Sequence, residues 1–290
     1  MTHDTLHGVH TALVTPFGDD GGLDLDALSR LAERQIDNGV HGLVACGTTG
    51  ETPTLSHEEW PTVIRVTREV ADGRVPVTAG VGTNSTPSTV AHCEQAAKLG
   101  ADFGLLVFPY YNKPNPRGHR AHVRAAAETG LPLVLYHVPG RTGQRLPAAL
   151  VAELMDIDGV AAVKEATGDL HFAGDLLERT DKPVLSGDDF TFLPLLSLGG
   201  AGVISVVSNV APEQTVAIYE AYRAGRVQEA AEAMAALWDL CTFLFEDTNP
   251  APCKAALAAL GLCGSSVRLP LAAFEGRDPV PVLEALGLTG

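Results

Sequence analysis

Gly159-Val160-Ala161-Ala162-Val163-Lys164 is a short apolar run that ends in a lysine. Such a run is typical of a strand buried on both faces of a parallel sheet. A charged amine is costly to desolvate there, and burial can lower a lysine pKa by up to about 3–5 units. Because a neutral amine attacks carbonyl carbons, Lys164 is a candidate Schiff-base nucleophile. The alternative is a buried stem whose head group reaches water or a carboxylate.

Seven similar apolar runs flank this one, and amphipathic stretches separate them. The strand candidates are Val9–Val14, Gly42–Ala45, Val75–Ala79, Phe103–Phe108, Leu133–Tyr136, Val160–Lys164, Val184–Leu185 and Gly202–Val207. Helices are predicted near residues 24–38, 56–71, 87–99, 117–129, 147–156, 170–180, 189–198 and 212–225. Eight strand-then-helix units predict a (β/α)8 TIM barrel. The alternative is an open doubly wound sheet, which is disfavoured because no Gly-x-Gly-x-x-Gly follows the first strand.

The chain changes character after residue 225. Two further helices are predicted, Glu229–Phe245 and Ala251–Leu260, with no strand between them. We therefore predict a barrel catalytic domain over residues 1–225 and a C-terminal helical region over residues 226–290. Ser56 with Glu59 fits a capping box at a helix start.

The bulk composition narrows the class of protein. A formal net charge of −15 disfavours a nucleic-acid or anionic-membrane surface. Five cysteines without a CxxC pair are typical of reduced thiols in a cytoplasmic protein. Residues 1–6 lack the pattern of a signal peptide. The longest apolar region, Leu193 to Val210, is interrupted by glycines and is predicted to be a helix end plus a buried strand.

Barrel enzymes place their sites at the carboxyl ends of the strands. The second strand ends in Gly47-Thr48-Thr49-Gly50, whose hydroxyl and N–H groups could hold a carboxylate or form an ordinary glycine turn. Arg141 follows the fifth strand and could bind a carboxylate bidentately or form a surface ion pair. Both features therefore suggest an anionic substrate while leaving a structural role open.

Three of the five tyrosines also lie at the ends of predicted strands: Tyr110, Tyr111 and Tyr136. A phenol near a Schiff-base lysine can move protons, although a single tyrosine is more often a packed ring. Asp188 and Asp189 follow the seventh strand, and we predict that they order a loop and helix start. No histidine or carboxylate cluster with metal-ligand spacing surrounds them, so no metal site is predicted.

The histidines show no ligand pattern either. His119 and His122 lie on a predicted outer helix and are expected to be solvated. For His57, near a predicted helix start, the pattern favours neither a structural role nor a functional one. The sequence contains neither a Ser-His-Asp pattern nor Gly-x-Ser-x-Gly.

Six motifs resemble those of the dihydrodipicolinate synthase family, which are pyruvate-dependent class I aldolases. The resemblance covers nearly the whole chain, and the motifs occur in the same order on the predicted strand ends. They are Gly47-Thr48-Thr49-Gly50-Glu51, Pro109-Tyr110-Tyr111-Asn112-Lys113-Pro114, Tyr136-His137-Val138-Pro139-Gly140-Arg141-Thr142-Gly143, Lys164-Glu165-Ala166-Thr167-Gly168, Ser186-Gly187-Asp188-Asp189 and Gly202-Val203-Ile204-Ser205.

The resemblance implies catalytic roles. Lys164 would form the Schiff base with pyruvate, and Tyr136 would relay protons there. Thr48 and Tyr111 would complete the relay, with Tyr111 reaching in from a neighbouring subunit. The covalent imine would need no cofactor, and a shared tyrosine implies a homo-oligomer, commonly a dimer of dimers in this family.

The resemblance also implies how substrates are held. Thr48 and Thr49 would bind the carboxylate of pyruvate. Arg141 would bind that of the second substrate, L-aspartate 4-semialdehyde. Ile204 would place a backbone carbonyl near the lysine. The implied product is 4-hydroxy-tetrahydrodipicolinate, an intermediate of lysine and diaminopimelate biosynthesis.

Some members of the family bind the effector L-lysine at a second site. His57, Asn84 and Tyr110 match positions of that site. The acidic position that would bind the effector's amine is Ser88 here, and another site position is Trp60. We therefore predict weak or absent inhibition by lysine.

Two other functions fit the same pattern. A sister aldolase could cleave a 2-keto-3-deoxy sugar acid or N-acetylneuraminate with the same lysine and threonines, although Arg141 and Tyr110-Tyr111 favour the synthase. A non-catalytic keto-acid-binding barrel would show a broken relay, whereas all four relay residues are present.

One further departure from the family pattern is His137, where the family usually has Asn. This histidine is not expected to change the reaction.

Overall fold

The computed structural model, which describes residues 6–289, closes eight parallel strands into one barrel. Each strand pairs with its neighbours in chain order, and the first pairs with the last. This closure confirms the TIM barrel and excludes the open sheet, because no strand edge is left unpaired. The strands are β1 (Gly8–Ala12), β2 (Gly42–Ala45), β3 (Val77–Gly80), β4 (Phe103–Val107), β5 (Leu133–His137), β6 (Val160–Glu165), β7 (Val184–Ser186) and β8 (Gly202–Ser205).

Helices follow each strand and continue beyond the barrel. Those around the barrel are α1 (Leu25–Asp37), α2 (Glu59–Ala71), α3 (Thr86–Lys98), α4 (Pro116–Ala127), α5 (Pro139–Thr142), α6 (Ala148–Met155), α7 (Leu170–Leu177), α8 (Phe192–Ser197) and α9 (Pro212–Arg223). Those after it are α10 (Val227–Ala236), α11 (Trp238–Leu244), α12 (Ala251–Ala259) and α13 (Val280–Ala285). Three 3₁₀ turns accompany them at Thr52–Thr54, Asp189–Thr191 and Val207–Asn209.

The helices that follow β8 differ partly from the prediction. The stretch predicted as one helix over Glu229–Phe245 is two helices that meet at Leu237, and α13 was not predicted. No strand occurs in the described part of this region, as expected. The division of the chain at residue 225 stays a prediction.

Local signals in the sequence act as expected. The Ser56 hydroxyl accepts a hydrogen bond from the amide of Glu59 at 3.2 Å, and the Glu59 carboxylate accepts one from the amide of Ser56 at 2.8 Å. This reciprocal pair confirms the capping box at the start of α2. Gly100, Gly130 and Gly199 have positive φ angles just beyond helices, where a left-handed residue ends the helix.

Successive side chains of each strand point to opposite sides, so the buried side chains form two groups, one between the barrel and its helices and one inside the barrel. Side chains that point outward, such as Val163 of β6, pack between the barrel and its helices. Side chains that point inward form a cluster that includes Tyr136, Leu185 and Ile204. Because successive residues of a strand face opposite sides, Lys164 points into the barrel at the carboxyl end of β6.

The prediction that His119 and His122 are solvated was wrong. Both side chains are buried on α4. The His119 ring lies 3.1 Å from the Gln144 amide oxygen, and the His122 ring lies 2.9 Å from the Thr86 hydroxyl. They occupy the inner face of the helix, because a half-buried helix hides every third or fourth residue whatever its polarity.

Two predictions from the sequence concerned a signal peptide and a membrane-spanning helix. The interpretation that residues 1–6 lack a signal peptide falls almost wholly on residues 1–5, which lie outside the described residues. Across residues 6–289, no helix has the length and apolar character needed to cross a membrane. The region from Leu193 to Val210 contains most of α8 followed by β8, which agrees with the predicted helix end and buried strand, and also a 3₁₀ turn that was not predicted.

Candidate active site

Lys164 lies almost fully inside the barrel, with 6% of its surface exposed. It is the register partner of Tyr136, and its Nζ lies 4.4 Å from the centre of that ring. A Cβ atom at Gly187 would lie only 2.9 Å from the Lys164 Cε, so glycine is required beside the lysine stem. Among residues 6–289, Nζ makes no hydrogen bond or ion pair. The alternative of a carboxylate-paired lysine is therefore excluded.

A cavity of about 300 Å³ surrounds the lysine head group. Five of the predicted site residues line it, and they come from the ends of three strands, β2, β5 and β6: Thr48, Thr49, Tyr136, Arg141 and Lys164. The remaining walls are Val138, Ala166, Gly187, Asp188, Phe190, Val206, Phe245 and Asn249. The cavity is at the lower end of the size range of small-molecule sites, which suits a substrate of a few carbon atoms.

The turn after β2 presents donors to this cavity. Its internal backbone hydrogen bonds are donated by Gly50, Glu51 and Thr52, not by Thr48 or Thr49. The Thr49 hydroxyl accepts a hydrogen bond from an amide at 2.9 Å and keeps its own hydrogen to donate. Two adjacent N–H and O–H groups at one strand end can bind a carboxylate.

Arg141 supplies a free positive charge to the site. It lies on α5, a single helical turn that ends at Gly143 with φ of 70°. Its side chain is exposed and makes no ion pair or hydrogen bond within the described part of the chain. The surface ion pair that the sequence left open is therefore excluded, and the guanidinium is available to an anion.

Two adjacent carboxylates after β7 have different environments. Asp189 is buried and accepts hydrogen bonds from the Ser205 hydroxyl at 2.5 Å and the Val206 amide at 2.9 Å. Asp188 lines the cavity, where burial raises its pKa and the charge of Lys164 opposes the rise. Asp188 caps the 3₁₀ turn Asp189–Thr191, where its carboxylate accepts a hydrogen bond from the amide of Phe190 at 3.0 Å, which agrees with the predicted loop-ordering role. No three residues of metal-binding type come together within residues 6–289.

The other predicted residues lie around this cavity. Ile204 is buried in the barrel interior beside Tyr136, although the cavity wall itself is formed by Val206. Tyr111 has φ of 71° and is 89% exposed, so it does not reach Lys164 of its own chain. Tyr110 points to a neighbouring cavity.

Comparison with known proteins agrees with this geometry. A model of the dihydrodipicolinate synthetase family matches residues 5–281. The chain belongs to that family. One relative, a 4-hydroxy-tetrahydrodipicolinate synthase of Maridesulfovibrio salexigens, is 47% identical over 285 residues, which cover 97% of this chain and 94% of the relative.

Solved structures of dihydrodipicolinate synthases share the fold over almost the full length. The enzyme from Thermotoga maritima is 41% identical with a TM-score of 0.95, and the match covers 98% of this chain and 99% of that one. The chloride-inhibited enzyme from Acinetobacter baumannii, complexed with pyruvate, is 40% identical with a TM-score of 0.94 over 98% and 99% of the two chains. The resemblance drawn from six motifs is therefore confirmed at the level of the family.

A second cavity, of about 410 Å³, adjoins the first at Thr48 and Arg141. His57 and Tyr110 line it, as expected for positions that match the effector site of some dihydrodipicolinate synthases. Trp60 fills one wall, and its indole N–H donates to the carbonyl of Gly80 at 3.0 Å. Asn84 is not among the lining residues, so only part of the predicted set is brought together.

Two functional contacts were not predicted from the family motifs. Asn249 lines the Lys164 cavity and donates to the Thr49 hydroxyl, although it lies 200 residues further along the chain. Lys254 is fully buried against Glu51 at 2.6 Å. The sequence held one indication of the contact with Lys254, which is Glu51 itself. A carboxylate that ends a glycine turn at a buried strand end needs a partner that offers a hydrogen bond or a positive charge.

His137 departs from the family pattern next to Tyr136. Its ring is fully buried against Phe108 and Phe172, and burial lowers its pKa to about 4, with Arg145 as the next cause. The imidazole is therefore neutral near pH 7 and adds no charge beside Tyr136.

His137→Asn should reduce the loss of stability in acid. Between the ordinary histidine pKa of 6.5 and about 4, the unfolded chain binds a proton that the folded protein rejects, so His137 lowers stability as the pH falls. We expect the wild type to lose up to roughly 2 kcal/mol more unfolding free energy than the variant between pH 7 and pH 5. Urea unfolding at both pH values measures this, and equal losses would contradict the assignment.

Proposed function

We infer that this protein condenses pyruvate with L-aspartate 4-semialdehyde to give 4-hydroxy-tetrahydrodipicolinate, and we propose that Lys164 carries the reaction as an imine. The supporting observation is an unpaired lysine amine inside a closed barrel end, beside a tyrosine ring and a threonine turn. The activity is that of a lyase, and relatives of matching length bear the name of this synthase.

The chemistry needs no cofactor in this proposal. Lys164 Nζ attacks the keto carbon of pyruvate, and loss of water leaves an iminium. The iminium accepts electrons, so a methyl proton leaves and an enamine forms. The enamine carbon then attacks the aldehyde carbon of the second substrate. The amine of that substrate finally attacks the iminium carbon and releases Lys164.

The site orients both reactants and moves protons. Thr48 and Thr49 hold the pyruvate carboxylate, while Arg141 holds the carboxylate of the semialdehyde. Tyr136, whose ring centre lies 4.4 Å from Lys164 Nζ, relays protons to and from the imine. Holding two reactants in register removes up to about 7–11 kcal/mol from a bimolecular barrier.

The free guanidinium argues against the sister aldolases. In a keto sugar acid the only carboxylate belongs to the pyruvate half, and the aldehyde half is neutral and rich in hydroxyls. Arg141 instead offers an unpaired cation to the second reactant, which suits an anion. Release of pyruvate from keto sugar acids at a rate above that of the synthase reaction would overturn this choice.

A coupled assay tests the function directly. Purified protein is supplied with pyruvate and L-aspartate 4-semialdehyde, and product is followed through reduction by a downstream dehydrogenase, with and without L-lysine. We expect turnover that lysine inhibits weakly or not at all, because an exposed Ser88 hydroxyl cannot replace the charge of a carboxylate at the effector's amine. Tight pyruvate binding without turnover would instead indicate a keto-acid-binding barrel.

We propose that Tyr111 completes the proton relay of a second copy of this chain. Its 89% exposure and left-handed backbone fix an aromatic side chain outside its own cavity. A pair of such tyrosines, exchanged across a twofold axis, would make the active unit at least a dimer.

Mixing inactive variants tests this exchange. Lys164→Ala and Tyr111→Phe chains, unfolded and refolded together, should regain activity, because the hybrid dimer holds one site with both groups intact. About a quarter of wild-type activity is expected from an equal mixture. Each variant refolded alone is the control. If Tyr111 served its own chain, the mixture would regain none.

A further inference from the structure

A buried ion pair joins the turn after β2 to the C-terminal helices. Lys254 of α12 is fully buried, and its Nζ lies 2.6 Å from the Glu51 Oε1. The same Nζ donates to the carbonyl of Ser266 at 2.8 Å and lies 4.0 Å above the Phe17 ring. The second oxygen, Glu51 Oε2, accepts a hydrogen bond from the amide of Arg268 at 2.9 Å. Both charged groups are therefore satisfied without water.

Stability alone is a weak reason for such a pair. Desolvating two charges can cost as much free energy as their attraction returns, and packed apolar residues often serve equally well. The pair lies between the catalytic turn and the C-terminal helices, so its geometry offers another role. It fixes the direction in which the turn leaves β2.

The turn itself needs external support. Cys46 and Glu51, at its two ends, have φ of 55° and 53°, in the left-handed region that residues other than glycine occupy only at an energetic cost. The Thr15 hydroxyl donates to the carbonyl of Gly50 at 2.7 Å, and Asn249 donates to the Thr49 hydroxyl. Conformations of this kind persist only where surrounding contacts impose them.

We propose that Lys254 and Glu51 are positioning residues for pyruvate: their pair holds Thr48 and Thr49 where they meet the pyruvate carboxylate. The C-terminal region thereby becomes part of the substrate site, through Asn249 on one side of the turn and Lys254 on the other. This inference rests on the proposed function and adds the source of the pyruvate site's geometry.

A charge-neutral double variant separates positioning from stability. Lys254→Met leaves Glu51 as an unpaired buried charge and risks unfolding, whereas Lys254→Met combined with Glu51→Gln removes both charges and keeps an acceptor for the Arg268 amide. Arg277→Ala is the matched control: it breaks ion pairs to Asp239 at 2.9 Å and Glu246 at 2.6 Å in the same C-terminal region, away from the turn.

The readout is the pyruvate concentration that half-saturates the borohydride-trapped adduct on Lys164, with kcat and the KM for each substrate. For the double variant we expect the half-saturating pyruvate concentration to rise about tenfold, the free-energy equivalent of one lost hydrogen bond. The KM for the semialdehyde and kcat should change much less. Arg277→Ala should match the wild type in every parameter.

Three results would overturn the inference. One is a folded double variant with wild-type dependence on pyruvate, and another is an equal rise in KM for both substrates. The third is the same shift in Arg277→Ala. If the double variant fails to fold, Glu51→Gln alone provides the comparison. Absence of any adduct in the wild type would refute the proposed function itself, and this inference with it.

Discussion

Lys164→Ala abolishes condensation while leaving the barrel folded. The alanine variant lacks the only amine among the described residues that line the cavity, so pyruvate cannot be converted to an iminium and its methyl group stays non-acidic. We expect turnover to fall by at least about 10³-fold, as for other enzymes that lose a covalent nucleophile. The fold should survive, because the buried Nζ makes no hydrogen bond or ion pair within residues 6–289 and its removal leaves no partner unsatisfied.

Borohydride reduction in the presence of pyruvate measures the same event directly. Intact-mass and peptide analysis should find one pyruvate adduct on Lys164 of the wild type and none on the alanine variant. Lys98→Ala, which removes an exposed lysine from α3, is the matched control and should label like the wild type. An adduct on another lysine would contradict the assignment of Lys164 as the nucleophile.

Arg141→Ala separates the two substrates. The guanidinium has no protein partner in the described residues, so its loss removes a binding group without leaving a buried charge unpaired. Two charge-assisted hydrogen bonds to a carboxylate together contribute about 3 kcal/mol, so kcat/KM for L-aspartate 4-semialdehyde should fall by about 10²-fold. Imine formation with pyruvate should persist, because Thr48 and Thr49 remain.

Two further variants show whether the effect depends on the guanidinium group at position 141. Arg141→Lys keeps the charge but loses the planar fork, so it should recover only part of the affinity for the semialdehyde. Arg145→Ala removes a nearby arginine that is committed to Asp169 at 2.5 Å, and should leave both substrate affinities unchanged. A loss of the pyruvate adduct in Arg141→Ala, measured by the same borohydride trapping, would contradict this assignment, because it would show that Arg141 is needed to bind pyruvate.

The strands and the position of the candidate nucleophile were predictable from the sequence. Most strand positions are apolar, because both faces of a barrel strand are buried, and this pattern is local; the exceptions include His10 and Thr11 of β1 and Thr78 of β3. Lys164 is conspicuous because a charge interrupts such a pattern at a strand end. The same reasoning found Arg141 and the threonine turn, since barrel chemistry gathers after strands.

Errors arose where burial depends on a distant partner. His119 and His122 read as outer-helix residues, yet they pack inward against Gln144 and Thr86. Lys254 lies in the predicted helix Ala251–Leu260, whose sequence gave no sign that this lysine is fully buried. Nothing near Lys254 in the chain reveals Glu51, which lies 203 positions earlier.

Sequence by itself determined the barrel and its strand order, because these follow from local periodicity, and it singled out Lys164 as a candidate by one charge at the end of an apolar strand. Only the tertiary structure decided which side chains meet around that amine and what holds them. Such contacts join segments some 200 residues apart through Asn249 and Lys254, and their geometry exists only once the closed barrel and the C-terminal helices have packed together.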